Sequence, residues 1–307
     1  MTGNPVIARR GLLTALTAVP LVAACTAPLL TPRSAASTPE AAALLGASAA
    51  AHGAAALAGV RDISVRYSGQ WRGLVGTLQP ALTDEGFRGR SEERLLLRDG
   101  LAAQSYDGPD GHKAVVRQSG RGERGSVRVW YDGVAAQPGE KTDAAALVAD
   151  GYGLFLLGPM LLAGPWASQR SLVLEVGTPE PIVVAGQGYV CDVLRARVTP
   201  GVGLSEGDTL ALFIDRGERL MRRVRFTLDG LDSTRNAVAE VDCWAHVGLA
   251  GCRWPTRFHE QLLRPLPLPV HDWRLEGLDL DRGMTRADLS GPALGGVAAR
   301  PAAALPA

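Results

Sequence analysis

Several patterns in the sequence use residue types that chemistry requires. Gly203-Leu204-Ser205-Glu206-Gly207 is a G-x-S-x-G string, the form of the nucleophile elbow of serine hydrolases. That elbow presents its serine between a strand and a following helix. Here Thr199-Pro200-Gly201 comes before it and DTLALFID, a strand pattern, comes after, so the string reads as a hairpin turn. Gly120-Arg121-Gly122-Glu123-Arg124-Gly125 has the glycine spacing of a phosphate-cradling loop, which works only where it opens a helix. SVRVWYDG follows with alternating apolar and polar residues, so this too reads as a turn. His52, His112, His246, His259 and His271 are far apart, with no pair at metal-ligand spacing, and the cysteines form no C-x-x-C. No catalytic residue, metal or cofactor is expected, and the chain reads as a non-enzyme.

Arginines cluster at Arg216, Arg219, Arg222, Arg223 and Arg225. Counting by two places Arg222 on one strand face with Leu220, Val224, Phe226 and Leu228, and Arg223 and Arg225 on the other. An unpaired guanidinium among apolar neighbours is costly. Arg222 therefore either pairs with a carboxylate such as Asp215 or serves as a polar handle for a ligand. Cys243 and Cys252 flank a predicted turn at Val247-Gly248. Pairing about that turn sets 243 opposite 252 and Asp242 opposite Arg253, which leaves two outcomes open, a disulfide or two buried thiols.

Elements must position these residues. Short runs rich in Val, Leu, Arg and aromatics recur between Gly, Pro and Asp: ISVRYSGQW, RSEERLLLR, LAAQSYDG, HKAVVRQSG, SVRVWYDG, then SLVLEV, PIVVAG, YVCDVLRARV, TLALFID, LMRRVRFTLDG, AVAEVDCWAHV, CRWPTRFHE and HDWRLEGLDLD. Short links imply antiparallel neighbours in one sheet, which must curl to bury its inner face. Two helices interrupt the pattern. One is Ala-rich, starts at Thr38-Pro39-Glu40 with a capping hydroxyl, Pro and an acid, and runs to about residue 58. The other spans about 142–163 from a cap at Thr142-Asp143. It carries Tyr152, Phe155, Leu156, Met160 and Leu161 around much of its circumference, and Gly158-Pro159 should bend it. Such a helix reads either as a plain core helix or, bent and able to shift, as the lid of a cavity.

The N-terminus adds a further chemistry. Arg9-Arg10 precede an uncharged run from Gly11 to Ala24, too short to span a bilayer and ending at Cys25. Val22-Ala23-Ala24-Cys25 matches the lipobox of bacterial lipoproteins, so Cys25 is expected to be the lipidated first residue of the mature chain. The twin arginines also resemble a Tat signal and leave Sec and Tat export both open. Lys plus Arg total 32 against 31 Asp plus Glu, a balance that implies no nucleic-acid partner. The expected map is a signal peptide at 1–24, a lipidated, flexible tether at 25–38, one domain at 39–290, and a disordered, Gly-, Ala- and Pro-rich tail at 291–307.

A lipobox, an Ala-rich helix, strands, a mid-chain helix and strands again resemble the LolA/LolB-like lipoprotein carrier and receptor superfamily. ALVADGYGLFLLGPMLL, TLALFIDRGERLMRRVRFTLDGL and GCRWPTRFHEQLLRPL look most like an uncharacterised lipoprotein branch of it. The resemblance spans roughly residues 40–280 and brings no catalytic or ligand motif. It implies an α+β half-barrel, with a single curved antiparallel sheet of about 11–12 strands wrapped around both helices. It also implies an apolar cavity that holds acyl chains. The function expected is a membrane-tethered periplasmic lipoprotein, at the outer membrane, that binds lipid or an acylated lipoprotein. Candidate contacts are Tyr152, Phe155, Leu156, Met160, Leu161 and Arg222. The alternative is an assembly lipoprotein whose sheet packs on another envelope protein.

Overall fold

The structure, a computed structural model, describes residues 30–120, 122–164 and 170–294. The expected signal peptide, Cys25 and the last part of the expected tail lie outside the described residues. In chain order the strands are β1 (Ile63–Trp71), β2 (Arg90–Leu96), β3 (Leu101–Gly108), β4 (Gly111–Gln118), β5 (Ser126–Tyr131), β6 (Val134–Ala135), β7 (Ser171–Val176), β8 (Glu180–Val184), β9 (Gln187–Thr199), β10 (Asp208–Asp215), β11 (Met221–Thr227), β12 (Val238–Trp244), β13 (Val247–Leu249), β14 (Cys252–Trp254), β15 (Arg257–Arg264) and β16 (Leu268–Leu280). The helices are α1 (Pro39–His52), α2 (Ala54–Leu57), α3 (Val75–Leu78), α4 (Pro80–Thr83), α5 (Glu140–Leu157) and α6 (Pro159–Ala163).

One antiparallel sheet of 14 strands holds the order β6-β5-β4-β3-β2-β1-β16-β15-β12-β11-β10-β9-β7, with β8 also paired to β9. The sheet is open, with β6 at one edge and β7 at the other, so the single curved sheet expected is the one found. Its 14 strands exceed the expected 11–12: the thirteen runs quoted above each supply one, and the two-residue β6 adds another. The chain leaves at the β6 edge, runs through α5 and α6, and returns at the β7 edge. Helix α5 thereby fills the concave face. Its Ala144, Leu147, Leu154, Phe155 and Leu157 share one core with Val65 and Tyr67 of β1, Leu212 of β10, Val224 and Phe226 of β11 and Trp273 of β16.

Local chemistry sets the helix ends. The Thr38 side chain accepts the Ala41 N–H at 3.3 Å, as expected of the cap. The first helix does not run unbroken to residue 58. It stops at Gly53, whose φ of 97° and closeness to the backbone of Gly251 and Cys252 admit only glycine. Helix α5 begins at Glu140, two residues earlier than expected. Thr142 acts from inside its first turn, accepting the Gly139 N–H at 2.9 Å. The break at Gly158-Pro159 is present: Gly158 has φ 49°, and α6 starts afresh at Pro159.

The pairing expected around Val247-Gly248 is not formed. Strand β12 pairs with β15, setting Cys243 opposite Phe258 and Asp242 opposite His259. Residues 245–256 leave the sheet as a separate ribbon in which Cys252 faces Leu249. Ala245 at φ 52° and Pro255 mark the exit and return. Of the two outcomes left open, the thiols are the one observed: Cys191, Cys243 and Cys252 are free and buried.

The segment expected to be a free tether is bound from Leu30 onward. Leu30 is buried with Ile182, Val184, Cys191 and Phe213 against the convex face. The Arg33 and Ser34 N–H groups donate to Glu175 Oε2 at 2.7 and 2.9 Å, and the Thr38 N–H donates to the Leu174 carbonyl at 3.0 Å. Residues 33–38 thus cover the polar edge that β7 presents. At the other end, Met284, Leu289 and Leu294 pack on Leu96, Leu101, Ala103 and Val116. Packing therefore continues past the expected start of the tail at 291.

Candidate functional site

Beneath α5 the concave face is walled by aromatic side chains from strands distant in sequence. Register pairs Trp71 with His271 across β1 and β16, and Trp273 with Phe258 across β16 and β15. Alternation puts His271 and Trp273 on one face. Their rings stack in a column: Trp71 on His271 at 4.1 Å, His271 on Trp273 at 4.7 Å, Trp273 on Phe258 at 4.9 Å. Gly69 lies opposite Trp273, and a Cβ there would stand 2.5 Å from the Trp273 Cβ. The missing side chain leaves the column its room. From above, Tyr152 and Phe155 of α5 lean on Trp273 at 5.4 and 5.8 Å.

Two apolar cavities lie along α5. The first, about 90 Å³, is lined by Leu95, Leu97, Leu101, Gly153, Leu157, Leu161 and Leu172 among others. The second, about 40 Å³, lies against the ring column and is lined by Tyr152, Phe155, Phe226, Glu260, His271 and Trp273 among others. Leu154 and Val202 border both, so they separate two parts of one seam. For comparison, an apolar cavity of about 150 Å³ holds a single benzene. The seam as folded is therefore too small for a long acyl chain.

Two sets of contacts hold α5 down. Asp150 accepts from Arg117 Nε and Nη2, from Arg170 Nη2 and from the Gly203 N–H, all at 3.0 Å. Gly203 opens the G-x-S-x-G string, so that string is a turn and serves to dock the helix. A Cβ at Gly203 would lie 2.8 Å from the Leu147 Cα. In the first turn of α5, Lys141 reaches Asp84, which Lys113 and Tyr131 also hold. The G-x-G-x-x-G region likewise joins β4 to β5 and opens no helix.

A polar niche adjoins the aromatic wall. A third cavity of about 20 Å³, the size of one water, is lined by Tyr67, Ser68, Arg88, Ser91, Tyr106 and Tyr152 among others. The Arg88 guanidinium lies over the rings of Trp71 and Tyr106, each at 4.9 Å, and near Tyr152 at 6.0 Å. Burial pushes the Glu260 carboxyl up to about 7 against the opposing pull of Arg88. Burial likewise pushes Glu93 up to about 8, although Gln104 donates to it. His271, desolvated and beside Arg88, is held neutral.

The sequence candidates divide among these places. Tyr152 and Phe155 line the smaller apolar cavity and Leu161 the larger one. Leu156 and Met160 are fully buried and line neither; Met160 belongs to the core with α1 and α6. Arg222 is away from the seam. A bulge between Phe213 and Ile214 breaks the period-2 count, turning Met221 inward and Arg222 aside. There it pairs with Asp215 at 3.3 Å and with Glu218, and stacks on Tyr189 at 4.5 Å. The carboxylate-paired reading holds, and the ligand-handle reading does not. His52 and His246 come within 5.9 Å beside it, and burial pushes their pKa values down to about 4 and about 3. No cluster of metal-ligating side chains occurs among the described residues. A larger cleft of about 920 Å³ is polar, lined by Glu140, Asp143, Glu206 and Asp229 with Arg124 and Arg235, and offers no apolar seat.

No protein-family model matches the sequence, and no curated protein matches it. Solved structures similar to the chain include a DUF1329 family protein from Desulfovibrio piger ATCC 29098, at 13% identity and TM-score 0.49, covering 83% of this chain and 98% of that one. A putative outer membrane lipoprotein-sorting protein domain from Vibrio parahaemolyticus is similar at 11% identity and TM-score 0.38, covering 81% and 95%. A LolA superfamily protein from Nitrosomonas europaea is similar at 11% and 0.38, covering 81% and 97%. At these identities no side-chain role transfers, and the chemistry of the site rests on its own residues.

Proposed function

We propose that the chain is a non-enzymatic, membrane-tethered protein of the cell envelope that shelters an acyl chain, from a lipid or an acylated lipoprotein, in the seam beneath α5. The observation that carries this reading is the pair of apolar cavities meeting at Leu154 and Val202 under a helix buried around most of its circumference and broken at Gly158. Each methylene moved from water into such a seam contributes about 0.8 kcal/mol, so a long chain gains on the order of 10 kcal/mol. Part of that gain is offset by lifting α5 off the aromatic wall, which keeps binding reversible.

Lipidation of Cys25 belongs to the same reading. Leu30 is fixed on the body, so the intervening chain sets the anchor at most about 17 Å away. Thr26, rather than Asp, after the cysteine supports outer-membrane placement under enterobacteria-like sorting. Native mass spectrometry of the Cys25→Ser protein, purified without detergent, tests the ligand, with copurifying lipid expected. Lipid-free protein that also fails to take up added amphiphile would refute the reading and favour the sheet as a protein-interaction surface. Palmitate labelling lost in Cys25→Ser tests the anchor, and labelling that persists refutes it.

A further inference from the structure

Buried arginines in this fold are matched by acids. Arg94 pairs with Glu92, Arg117 with Asp150 and Arg222 with Asp215, and the half-buried Arg223 pairs with Asp242. Arg88, half-buried between the 40 and 20 Å³ cavities, has no such partner among the described residues. Its hydrogen bonds, to the Leu82 carbonyl and the Tyr106 hydroxyl, are both long at 3.4 Å. Asp84 acts on it only through space, because its oxygens are taken by Lys113, Lys141 and Tyr131. What surrounds Arg88 closely is aromatic: Trp71, Tyr106 and Tyr152. A guanidinium stacked on rings keeps its N–H fork free for an oxyanion.

Below about pH 7 the groups facing this niche leave it positive. His271 is neutral, and the Tyr106 and Tyr152 hydroxyls are pushed up by burial and stay protonated. Glu260, raised to about 7, is the one acid lining the same cavity, and it can take up a proton to accommodate an incoming anion. From the niche the apolar seam leads past Phe226 and Val202 toward Leu154 and Leu161. A cation therefore marks one end of a greasy path.

We propose that Arg88 receives the anionic head of a single-chain amphiphile, a carboxylate or phosphate monoester, whose acyl tail runs along the seam beneath α5. This rests on the acyl-sheltering reading and narrows its ligand to acidic amphiphiles. The two sources of that chemistry are a free fatty acid and a lysophospholipid with a terminal phosphate.

The test titrates the intact chain, carrying Cys25→Ser so that no lipid anchor is added, with laurate, 1-lauroyl lysophosphatidate and dodecanol at pH 6, where Glu260 keeps its proton. Binding is followed by fluorescence of the site tryptophans. A charge-assisted hydrogen bond is worth about 1.5–3 kcal/mol, so the acidic ligand should bind roughly 10- to 100-fold more tightly than the alcohol. The tighter of the two acids names the source. In Arg88→Gln the acid-to-alcohol ratio should fall toward one. Acid and alcohol bound within about threefold by the unsubstituted Arg88 site overturn the head-group assignment while leaving acyl sheltering intact, as does a folded Arg88→Gln chain that keeps the preference. Binding of neither overturns both. If Arg88→Gln does not fold, the ratio measured with Arg88 present still decides.

Discussion

Gly153 gives the seam its sharpest test. It sits inside α5 and lines the 90 Å³ cavity, and a Cβ built there meets no atom within 4 Å. Gly153→Ala should stabilise by about 1 kcal/mol, because glycine in a helix interior costs that much relative to alanine. Gly153→Leu adds three more carbons directed at the cavity. At about 0.8 kcal/mol each these offer roughly 2 kcal/mol, from which crowding subtracts about 1 or more. A domain of this size gains about 2–4 °C in melting temperature per kcal/mol. Gly153→Ala should therefore melt a few degrees higher, with Gly153→Leu at or above it. Binding should move the other way: Gly153→Leu occupies the seat and should weaken dodecanol binding at least tenfold. Thermal melts and the same fluorescence titration read both effects. A chain made more stable by Gly153→Leu that binds dodecanol unchanged would remove the cavity from the ligand path. A loss of stability in Gly153→Ala would refute the open space itself.

Gly69→Ala places a methyl 2.5 Å from the Trp273 Cβ. It should cost about 1–3 kcal/mol in chemical denaturation and alter the near-ultraviolet circular dichroism of the stacked rings; unchanged stability contradicts the tight approach. Asp150→Asn keeps the shape but strips the charge facing Arg117 and Arg170. A loss of about 3–5 kcal/mol is expected, and a loss below 1 kcal/mol argues against the clamp. Glu93 provides a pH signature. Its folded carboxyl, raised from 4.5 to about 8, keeps a proton that the unfolded chain releases. The wild type should thus lose stability as pH climbs from about 4.5 to 8, by up to about 4–5 kcal/mol. Glu93→Gln lacks this loss, so its advantage over wild type should grow across that window and level off above it; a difference independent of pH refutes the assignment.

Where strand and sequence agree, the reason is local. ISVRYSGQW, LAAQSYDG and SLVLEV coincide with β1, β3 and β7 because alternation and flanking turn residues specify a strand without help from its neighbours. Errors arise where register matters. The 243–252 hairpin failed because two short segments with consistent faces can be paired in more than one way, and only the sheet as a whole selects β12 with β15. Arg222 was misplaced by a bulge, which leaves no trace in an alternating pattern. The apolar circumference of the stretch that forms α5 and α6 was legible, so Tyr152, Phe155 and Leu161, which line the cavities, were among the residues singled out. Trp71, Arg88, Glu260 and His271 were not, since nothing local tells Trp71 that its stacking partner lies about 200 residues further on.

The pairing of β1 with β16 also has a consequence in time. The sheet consists of two stretches of sequentially ordered strands joined at its centre by the first strand and the last. At synthesis rates of about 5–20 residues per second, β1 waits roughly 10–40 s before β16 exists. During that interval the edge of β1 that β16 will cover is unpaired, the kind that invites association with another chain. The aromatic column straddles this seam, with Trp71 on one side and His271, Trp273 and Phe258 on the other. Its assembly is therefore among the least local and slowest steps of folding. The column is completed only in finished chains: a product that ends before Leu268 can form most of the strands and lacks His271 and Trp273, the middle of the column.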